Sequence, residues 1–159
     1  MPSSPVTPDP ARPDVDAGSL GADGASSFPL VLIVDDHTEG RDVCALLLLQ
    51  AGFRVATAIN GLDGLVKALS VRPDVIVMDL AMPHLDGLDC TRQLAASSST
   101  RDIPVIVLTA HATPEVRANA TAAGCRGFLV KPFEASDLIA EVGRWAPAQS
   151  PDRAPRSSP

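Results

Sequence analysis

Five short apolar runs alternate along the chain with segments of helical periodicity, and this alternation is the strongest constraint on the fold. Each run is rich in β-branched residues and apolar on both faces, as expected for parallel strands covered by helices on both sides. Successive strand–helix units of this kind form a parallel sheet between two helical layers. The runs are LVLIV (30–34), RVATA (54–58), DVIVM (74–78), IPVIVL (103–108) and GFLV (127–130).

The segments between the runs carry apolar residues spaced three and four positions apart, which is typical of amphipathic helices. Thr113 before a proline is typical of a helix start, and Gly52 and Gly124 stand where helices commonly end. We therefore expect an α/β fold of three layers, αβα, with a five-stranded parallel sheet. The two clearest helical patterns are Leu62, Leu65, Val66, Leu69 and Leu138, Ile139, Val142, Trp145.

The two ends of the chain differ in composition from its middle. Residues 1–28 are rich in Pro, Ser, Asp, Ala and Gly, residues 146–159 are similar, and both segments have few large apolar side chains. Such segments bury too little surface to offset the entropy lost on ordering. We expect disordered tails at 1–28 and 146–159 and one folded domain at 29–145.

Charge and cysteine content exclude several classes of protein. The net charge of −6 disfavours a nucleic-acid partner, which needs a basic patch. The three cysteines lack CxxC spacing, so neither a disulfide framework nor a zinc knot is indicated. No signal peptide and no apolar run long enough to span a bilayer is visible, so we expect a cytoplasmic protein without membrane contact.

Polar residues follow four of the five runs. Parallel sheets carry their functional groups in the loops beyond the carboxyl ends of the strands. Three carboxylates crowded there would keep at least one proton unless a cation were shared between them. Mg²⁺ prefers such hard oxygen ligands. The residues are Asp35 and Asp36 after the first run, Asp79 after the third, Thr109 after the fourth and Lys131 after the fifth.

This set of side chains suits phosphoryl transfer. A carboxylate can attack phosphorus and form an aspartyl phosphate. The phosphoryl group in transfer spreads its charge over three oxygens and needs a metal and fixed donors around it. Mg²⁺, the Lys131 ammonium and the Thr109 hydroxyl are such donors. Asp79 follows the middle strand, between the acidic pair and the other two residues, and is the expected nucleophile.

The chain resembles the receiver domain of bacterial two-component response regulators, in a stand-alone form like that of chemotaxis. The matching segments are VDDH, DVIVMDLAMPHLDG, PVIVLTA and GFLVKPF, and the resemblance covers 29–145. An acidic pair, an Asp, a Thr and a Lys-Pro on successive strand ends form a specific pattern. Few residues follow Trp145, so no output domain is expected there.

The resemblance implies a flavodoxin-like fold with strand order 2-1-3-4-5. It implies that Asp79 accepts a phosphoryl group from a sensor histidine kinase or a histidine phosphotransfer protein. Asp36 and Asp79 would bind Mg²⁺ directly, Asp35 through water, and the backbone carbonyl of Ala81 would be a further ligand. Lys131 would pair with the phosphoryl oxygens. Such a protein promotes only its own phosphorylation and dephosphorylation and is not a turnover enzyme.

The resemblance also implies a conformational switch. Thr109 would move toward the phosphoryl group, and the aromatic ring of Phe128 would turn inward behind it. The family often has Tyr at this position, and Phe128 lacks its hydroxyl. The Lys131–Pro132 peptide would be cis. Downstream protein targets, and a possible homodimer, would use the face formed by helix 4, strand 5 and helix 5.

Two alternatives remain open on the residues alone. One is a phosphatase of the haloacid-dehalogenase type, which also uses Asp, Mg²⁺, Thr and Lys. That class needs a second Asp two residues after the nucleophile as acid and base, and here the position is Ala81. The other alternative is a receiver fold that acts as an unphosphorylated docking module.

Three histidines fall in loops at the same end of the expected sheet: His37, His84 and His111. Imidazole suits Zn and Cu, so a transition-metal site is conceivable, although no spacing fixes these residues as ligands. A second hypothesis is that they make phosphorylation sensitive to pH near neutrality, where histidine titrates.

Overall fold

The computed structural model describes residues 28–83 and 85–147. Its five strands are β1 (Leu30–Val34), β2 (Arg54–Ala58), β3 (Val75–Asp79), β4 (Val105–Thr109) and β5 (Gly127–Val130). Its helices are α1 (Thr38–Gln50), α2 (Gly61–Val71), α3 (Gly87–Ala96), α4 (Pro114–Ala123) and α5 (Ala135–Trp145). All strand pairs are parallel, in the order β2-β1-β3-β4-β5, which confirms the predicted sheet.

Burial follows the position of each strand in the sheet. Every residue of β1, β3 and β4 is buried, because these strands have a neighbour on each side and helices above and below. The edge strands β2 and β5 are partly exposed. The sheet separates two apolar clusters, one on each face. Asp79 and Thr109 are the last residues of their strands, one position beyond the ends that the apolar runs predicted.

The start and end of α4 are capped by the residues that the sequence indicated, Thr113 and Gly124. The Thr113 hydroxyl accepts a hydrogen bond from the Val116 amide at 3.2 Å and caps the start of α4. Gly124 ends α4 with φ of 107°, a left-handed conformation that favours glycine. At the end of α1 the capping residue is Ala51, and Gly52, with φ of 98°, follows it.

Helix α2 forms as predicted, but most of its large apolar residues face solvent, and of the predicted pattern only Leu65 packs, partly buried, against the core. The reason is close packing: a Cβ atom built on Gly64 would lie 3.0 Å from the Val34 side chain. Small residues on that side bring α2 down onto β1, and larger ones would hold it away. The buried residues are Gly61, Gly64 and Ala68, whereas the exposed ones are Leu62, Val66 and Leu69.

The predicted tails lie outside the described residues except for Phe28, Ala146 and Pro147. Within the described part, no helix combines the length and apolar character needed to cross a membrane. Cys44 and Cys90 are buried and Cys125 is partly buried, and none of the three forms a disulfide. Burial raises the pKa of the Cys44 thiol to about 11, so the thiol stays protonated at neutral pH.

Candidate functional site

The carboxyl ends of β1 and β3 bring three carboxylates and one imidazole together. Asp35, Asp36, His37 and Asp79 each offer one ligand atom, and these atoms all lie within 4.8 Å of one another. β1 and β3 are adjacent parallel strands, so their carboxyl ends meet at the same edge of the sheet. The sequence predicted this grouping of the three acids, and His37 joins it as the first residue after the acidic pair.

Asp79 and Asp35 are the two most buried carboxylates of this group. The Oδ1 atom of Asp79 accepts a hydrogen bond from the Ala81 amide at 3.2 Å and lies 3.4 Å from Lys131 Nζ. Its Oδ2 is buried and has no hydrogen-bond partner. Lys131 follows β5, and its side chain is 35% exposed, so its ammonium lies at the boundary between Asp79 and solvent. One oxygen of Asp79 is thus held by the Ala81 amide, whereas the other has no hydrogen-bond partner among the described residues.

The surroundings of Asp79 oppose its ionisation. Burial raises the pKa of the carboxyl above its ordinary value of 3.8. The Lys131 ammonium lowers that pKa, and the Asp35 carboxylate raises it again. The balance is a raised pKa, which means that one lysine does not compensate for burial and for a second negative charge. A further positive charge at this point would lower the pKa of Asp79.

The acidic pair is anchored at the start of α1. Asp35 Oδ1 accepts a hydrogen bond from the His37 amide at 2.9 Å, and the Asp35 carbonyl accepts one from Arg41 Nη1 at 2.9 Å. Asp36 is less buried, and its Oδ1 lies 3.0 Å from His37 Nδ1 without forming a hydrogen bond. Sequence reasoning missed Arg41. Its position in the second turn of the helix that follows the acids was the available signal.

The residues present fit a magnesium ion. Asp36 Oδ1 and Asp79 Oδ2 are buried carboxylate oxygens without hydrogen-bond partners, an arrangement that is unfavourable unless a cation or a donor is supplied. Both are hard oxygen ligands of the kind that Mg²⁺ prefers. Asp35 adds a third carboxylate to the same cluster. The predicted contribution of the Ala81 carbonyl stays a prediction.

Thr109 lies at the end of β4 with its hydroxyl turned into the following loop. Its Oγ1 accepts a hydrogen bond from the His111 amide at 3.0 Å and lies 3.2 Å from the His111 carbonyl oxygen, to which it can donate. Phe128 lies in β5, opposite Val107, and is half-buried. The Lys131–Pro132 peptide is cis, as the resemblance implied. These contacts describe the state in which Thr109 is held by its own loop.

Of the two histidines that the structure describes, only His37 joins the acidic cluster. The side chain of His111 is not part of that cluster, and His111 contributes its backbone to the contacts of Thr109. His84 lies outside the described residues. His37 and His111 therefore give no support to the transition-metal site considered from the sequence, and the effect of the three histidines on pH dependence stays a hypothesis.

Replacement of Asp79 by Asn is expected to stabilise the chain in the absence of divalent cations. The folded pKa of Asp79 is raised, so its contribution to stability is present below the unfolded pKa and is lost as pH rises through the folded value. Asn resembles the protonated acid. The free energy of unfolding should increase by about 1–3 kcal/mol at pH 7 and by much less near pH 4. Urea denaturation at both pH values measures the difference.

Magnesium should reverse the relative stability of the unmodified chain and the Asp79→Asn variant. Saturating Mg²⁺ at about 100 times its dissociation constant should stabilise the unmodified chain by about 2.7 kcal/mol, and should stabilise Asp79→Asn far less. Asp102→Asn, which changes an exposed carboxylate before β4, is the matched control and should behave as the unmodified chain does. An Asp79→Asn variant as stable as this control without Mg²⁺ would contradict the electrostatic account.

Comparison with known proteins assigns the family. The model of the response regulator receiver domain matches residues 31–143. The chain is 42% identical over 123 residues to the transcriptional regulatory protein PrrA of Mycobacterium leprae, covering 76% of this chain and 51% of PrrA. It is 35% identical over 114 residues to hybrid signal transduction histidine kinase D of Dictyostelium discoideum, covering 72% of this chain and 7% of the kinase. The chain thus spans about half the length of the transcriptional regulators that it matches.

Solved structures agree with this assignment. Chemotaxis protein CheY4 of Vibrio cholerae shares 34% identity with a TM-score of 0.72, covering 74% of this chain and 98% of CheY4. The receiver domain of the sensor histidine kinase PA1611 from Pseudomonas aeruginosa, which has a magnesium ion coordinated in its active-site cleft, shares 34% identity with a TM-score of 0.69. The superposition with PA1611 covers 97% of that receiver domain and 74% of this chain. On sequence, fold and site geometry together, the chain belongs to the response regulator receiver domain family.

Proposed function

We propose that Asp79 is the phosphoacceptor of this receiver domain and that phosphorylation depends on Mg²⁺. The observation that carries the proposal is the pair of oxygens on Asp79. Oδ1 is held by the Ala81 amide and lies near Lys131, whereas Oδ2 is buried and has no hydrogen-bond partner. A carboxylate with one oxygen beside an ammonium and the other available to a cation is arranged to act as a nucleophile toward a phosphoryl group.

The reaction transfers one phosphoryl group. A carboxylate oxygen of Asp79 attacks the phosphorus of a phosphohistidine on a partner protein. The new O–P bond forms as the P–N bond breaks, and the electron pair of that bond stays on the imidazole. The Lys131 ammonium, 3.4 Å from Asp79 Oδ1, stays beside the new acyl phosphate and neutralises part of its charge.

The metal would be held directly by the carboxylates of Asp36 and Asp79 and by the Ala81 carbonyl, and through water by Asp35. When bound, Mg²⁺ supplies positive charge next to the phosphoryl oxygens. Asp35 is fixed for this role by the His37 amide and by Arg41, which binds its carbonyl. The first contact uses Oδ1 of the Asp35 carboxylate and the second uses only its backbone carbonyl, so Oδ2 takes part in neither.

The signal would leave the site through Thr109 and Phe128. The Thr109 hydroxyl would exchange its contacts with His111 for a contact with the phosphoryl group. Phe128 would then turn inward behind it. Both side chains lie on the same face of the sheet, because Thr109 pairs with Val130 and side chains alternate along a strand. The movement of one therefore opens space for the other.

The partners follow from the family. A sensor histidine kinase or a histidine phosphotransfer protein would supply the phosphoryl group. A downstream protein target would bind the face formed by α4, β5 and α5, and a homodimer through the same face is possible. The net charge of −6 predicts no nucleic-acid partner for this chain.

Incubation with Mg²⁺ and acetyl phosphate tests the proposal. We expect one labile adduct per chain, with little release of inorganic phosphate beyond the decay of that adduct. Continuous phosphate release at high turnover would support a phosphatase instead, although Ala81 stands where that class needs its acid and base. No adduct with either acetyl phosphate or a phosphorylated histidine protein would support a docking module.

A further inference from the structure

A guanidinium group covers the ring of Phe128. Arg117, in the first turns of α4, places its Cζ 4.4 Å from the centroid of the Phe128 ring. A cation over the face of an aromatic ring within about 6 Å is attracted by the electron density of that face. Within the residues that the structure describes, Arg117 forms no salt bridge, so the ring is its principal side-chain contact.

The position of this contact links α4 to the site. Phe128 and Val107 are paired across β4 and β5, and Thr109 lies two residues beyond Val107 on the same face. Helix α4 packs on that face through Ala120, which is part of the same apolar cluster as Phe128. Arg117 lies nearly one turn before Ala120 and closes the outer side of the ring. The ring is therefore bounded by Val107 within the sheet and by Arg117 outside it.

Besides the contact with Arg117, few kinds of interaction can fix the orientation of the Phe128 ring. A tyrosine in this position would have a hydroxyl that could bind the backbone or a partner. The phenylalanine ring has only its apolar surface and the negative charge density of its faces. A cation on that face is the one polar interaction by which a neighbour can fix the orientation of the ring.

We propose that Arg117 is a positioning residue that holds the half-buried Phe128 ring in the orientation observed here, with the guanidinium over its face, and so restrains the response to phosphorylation. The inference rests on the proposed function, in which the ring turns inward when Thr109 moves. The inward ring loses the Arg117 contact, so each phosphorylation event must break it. By linkage, loss of the contact favours the phosphorylated form by the same factor.

The Arg117→Ala variant should therefore be phosphorylated more readily than the unmodified chain. An exposed contact between a cation and a ring corresponds to a change of about two- to five-fold in the population of the inward ring. We expect a gain of that size in the rate of adduct formation with acetyl phosphate and Mg²⁺. Arg117→Lys keeps a cation in reach and should recover part of the restraint.

Arg126→Ala is the matched control. Arg126 is an exposed arginine directly before β5 and has no ring contact within the described residues. Its loss changes the net charge by the same amount, so any effect of charge on an anionic phosphodonor is common to both variants. A second control is the Phe128→Leu background, in which Arg117→Ala should have no further effect on the rate.

Fluorine NMR reports the ring without relying on phosphorylation. The chain has four phenylalanines, so uniform labelling with 4-fluorophenylalanine gives at most four positions, and Phe128→Leu assigns one of them. Arg117→Ala should shift the Phe128 resonance in the unphosphorylated chain, whereas Arg126→Ala should leave it unchanged. Phosphorylation should move the resonance of the unmodified chain in the same direction as Arg117→Ala does.

The outcomes separate the two proposals. If Arg117→Ala and Arg126→Ala give the same rate, or if the gain persists in Phe128→Leu, the role of Arg117 is overturned. An unshifted Phe128 resonance in Arg117→Ala overturns it as well. If the unmodified chain forms no adduct on Asp79, the proposed function is overturned, and the resonance still decides whether Arg117 holds the ring.

Discussion

The Asp79→Asn variant should form no phosphoryl adduct under conditions in which the unmodified chain is fully labelled. An amide is not a nucleophile toward phosphorus, so we expect a loss on the order of 100-fold or more in the rate of adduct formation. The change is nearly isosteric and removes one of three crowded carboxylates, so the fold should be retained or stabilised. Intact-protein mass spectrometry after incubation with acetyl phosphate and Mg²⁺ measures the adduct.

Asp86→Asn is the matched control for that experiment. Asp86 caps the start of α3 by accepting a hydrogen bond from the Asp89 amide at 2.8 Å, and Asn caps helices equally well. The variant makes the same chemical change seven residues further along the chain and should be labelled as fast as the unmodified protein. Undiminished labelling of Asp79→Asn would show that another residue receives the phosphoryl group.

The Gly87→Ala variant should be strongly destabilised. Gly87 begins α3, and a Cβ atom there would lie 2.3 Å from the Asp79 carbonyl oxygen and 2.8 Å from the Leu80 Cα. These are backbone atoms and cannot turn aside as a flexible side chain could. Helix α3 would have to move away from the segment that follows Asp79. We expect a loss of about 2–3 kcal/mol in the free energy of unfolding.

Gly143→Ala provides a control of opposite sign. Nothing lies within 4 Å of a Cβ atom built on Gly143, which is inside α5. Replacing an interior helical glycine by alanine should stabilise the chain by about 0.5–1 kcal/mol. Urea denaturation of both variants measures the difference. Gly87→Ala should also be phosphorylated more slowly, because the loop that holds Asp79 is displaced. Equal stability of the two variants would contradict the close approach of α3.

The fold was predictable because burial and periodicity agree for its central elements. β1, β3 and β4 are covered on both faces, and apolar residues on both faces are what such strands require. The position of the site was predictable for a related reason. An acidic pair, an Asp, a Thr and a Lys at successive strand ends form a combination that is specific to few kinds of site. Asp79 and Lys131 lie 3.4 Å apart although 52 residues separate them, because the parallel sheet brings the strand ends together.

Other features depend on shape, which hydropathy does not record. The pattern of Leu62, Val66 and Leu69 indicated a helix correctly, yet these side chains are exposed, because the helix packs through Gly61 and Gly64. A ranking by hydrophobicity places leucine above glycine and so misplaces the buried face. The only sign of such close packing in the sequence is a glycine. Glycine is also common in turns and at helix ends, so its presence does not indicate which of these it serves.

The contacts of arginine were also beyond prediction. Nothing in its local sequence distinguishes Arg117 from the many other arginines, and the one signal for Arg41 was its position shortly after the acidic pair. Arg117 reaches Phe128 because α4 packs beside β5, and Arg41 reaches the Asp35 carbonyl because α1 begins directly after the acidic pair. Both interactions are consequences of how elements meet in space. They become visible only when the distances are known.

The central claim is that a phosphoryl group is attached to Asp79 itself in a reaction that needs Mg²⁺. The most direct measurement is to label the unmodified chain with acetyl phosphate, reduce the acyl phosphate with borohydride, and locate the reduced residue by peptide mass spectrometry. The account predicts reduction at Asp79 alone, and none when Mg²⁺ is removed by a chelator. Reduction at Asp35 or Asp36 with Asp79 intact, or equal labelling of Asp79 without Mg²⁺, would contradict it.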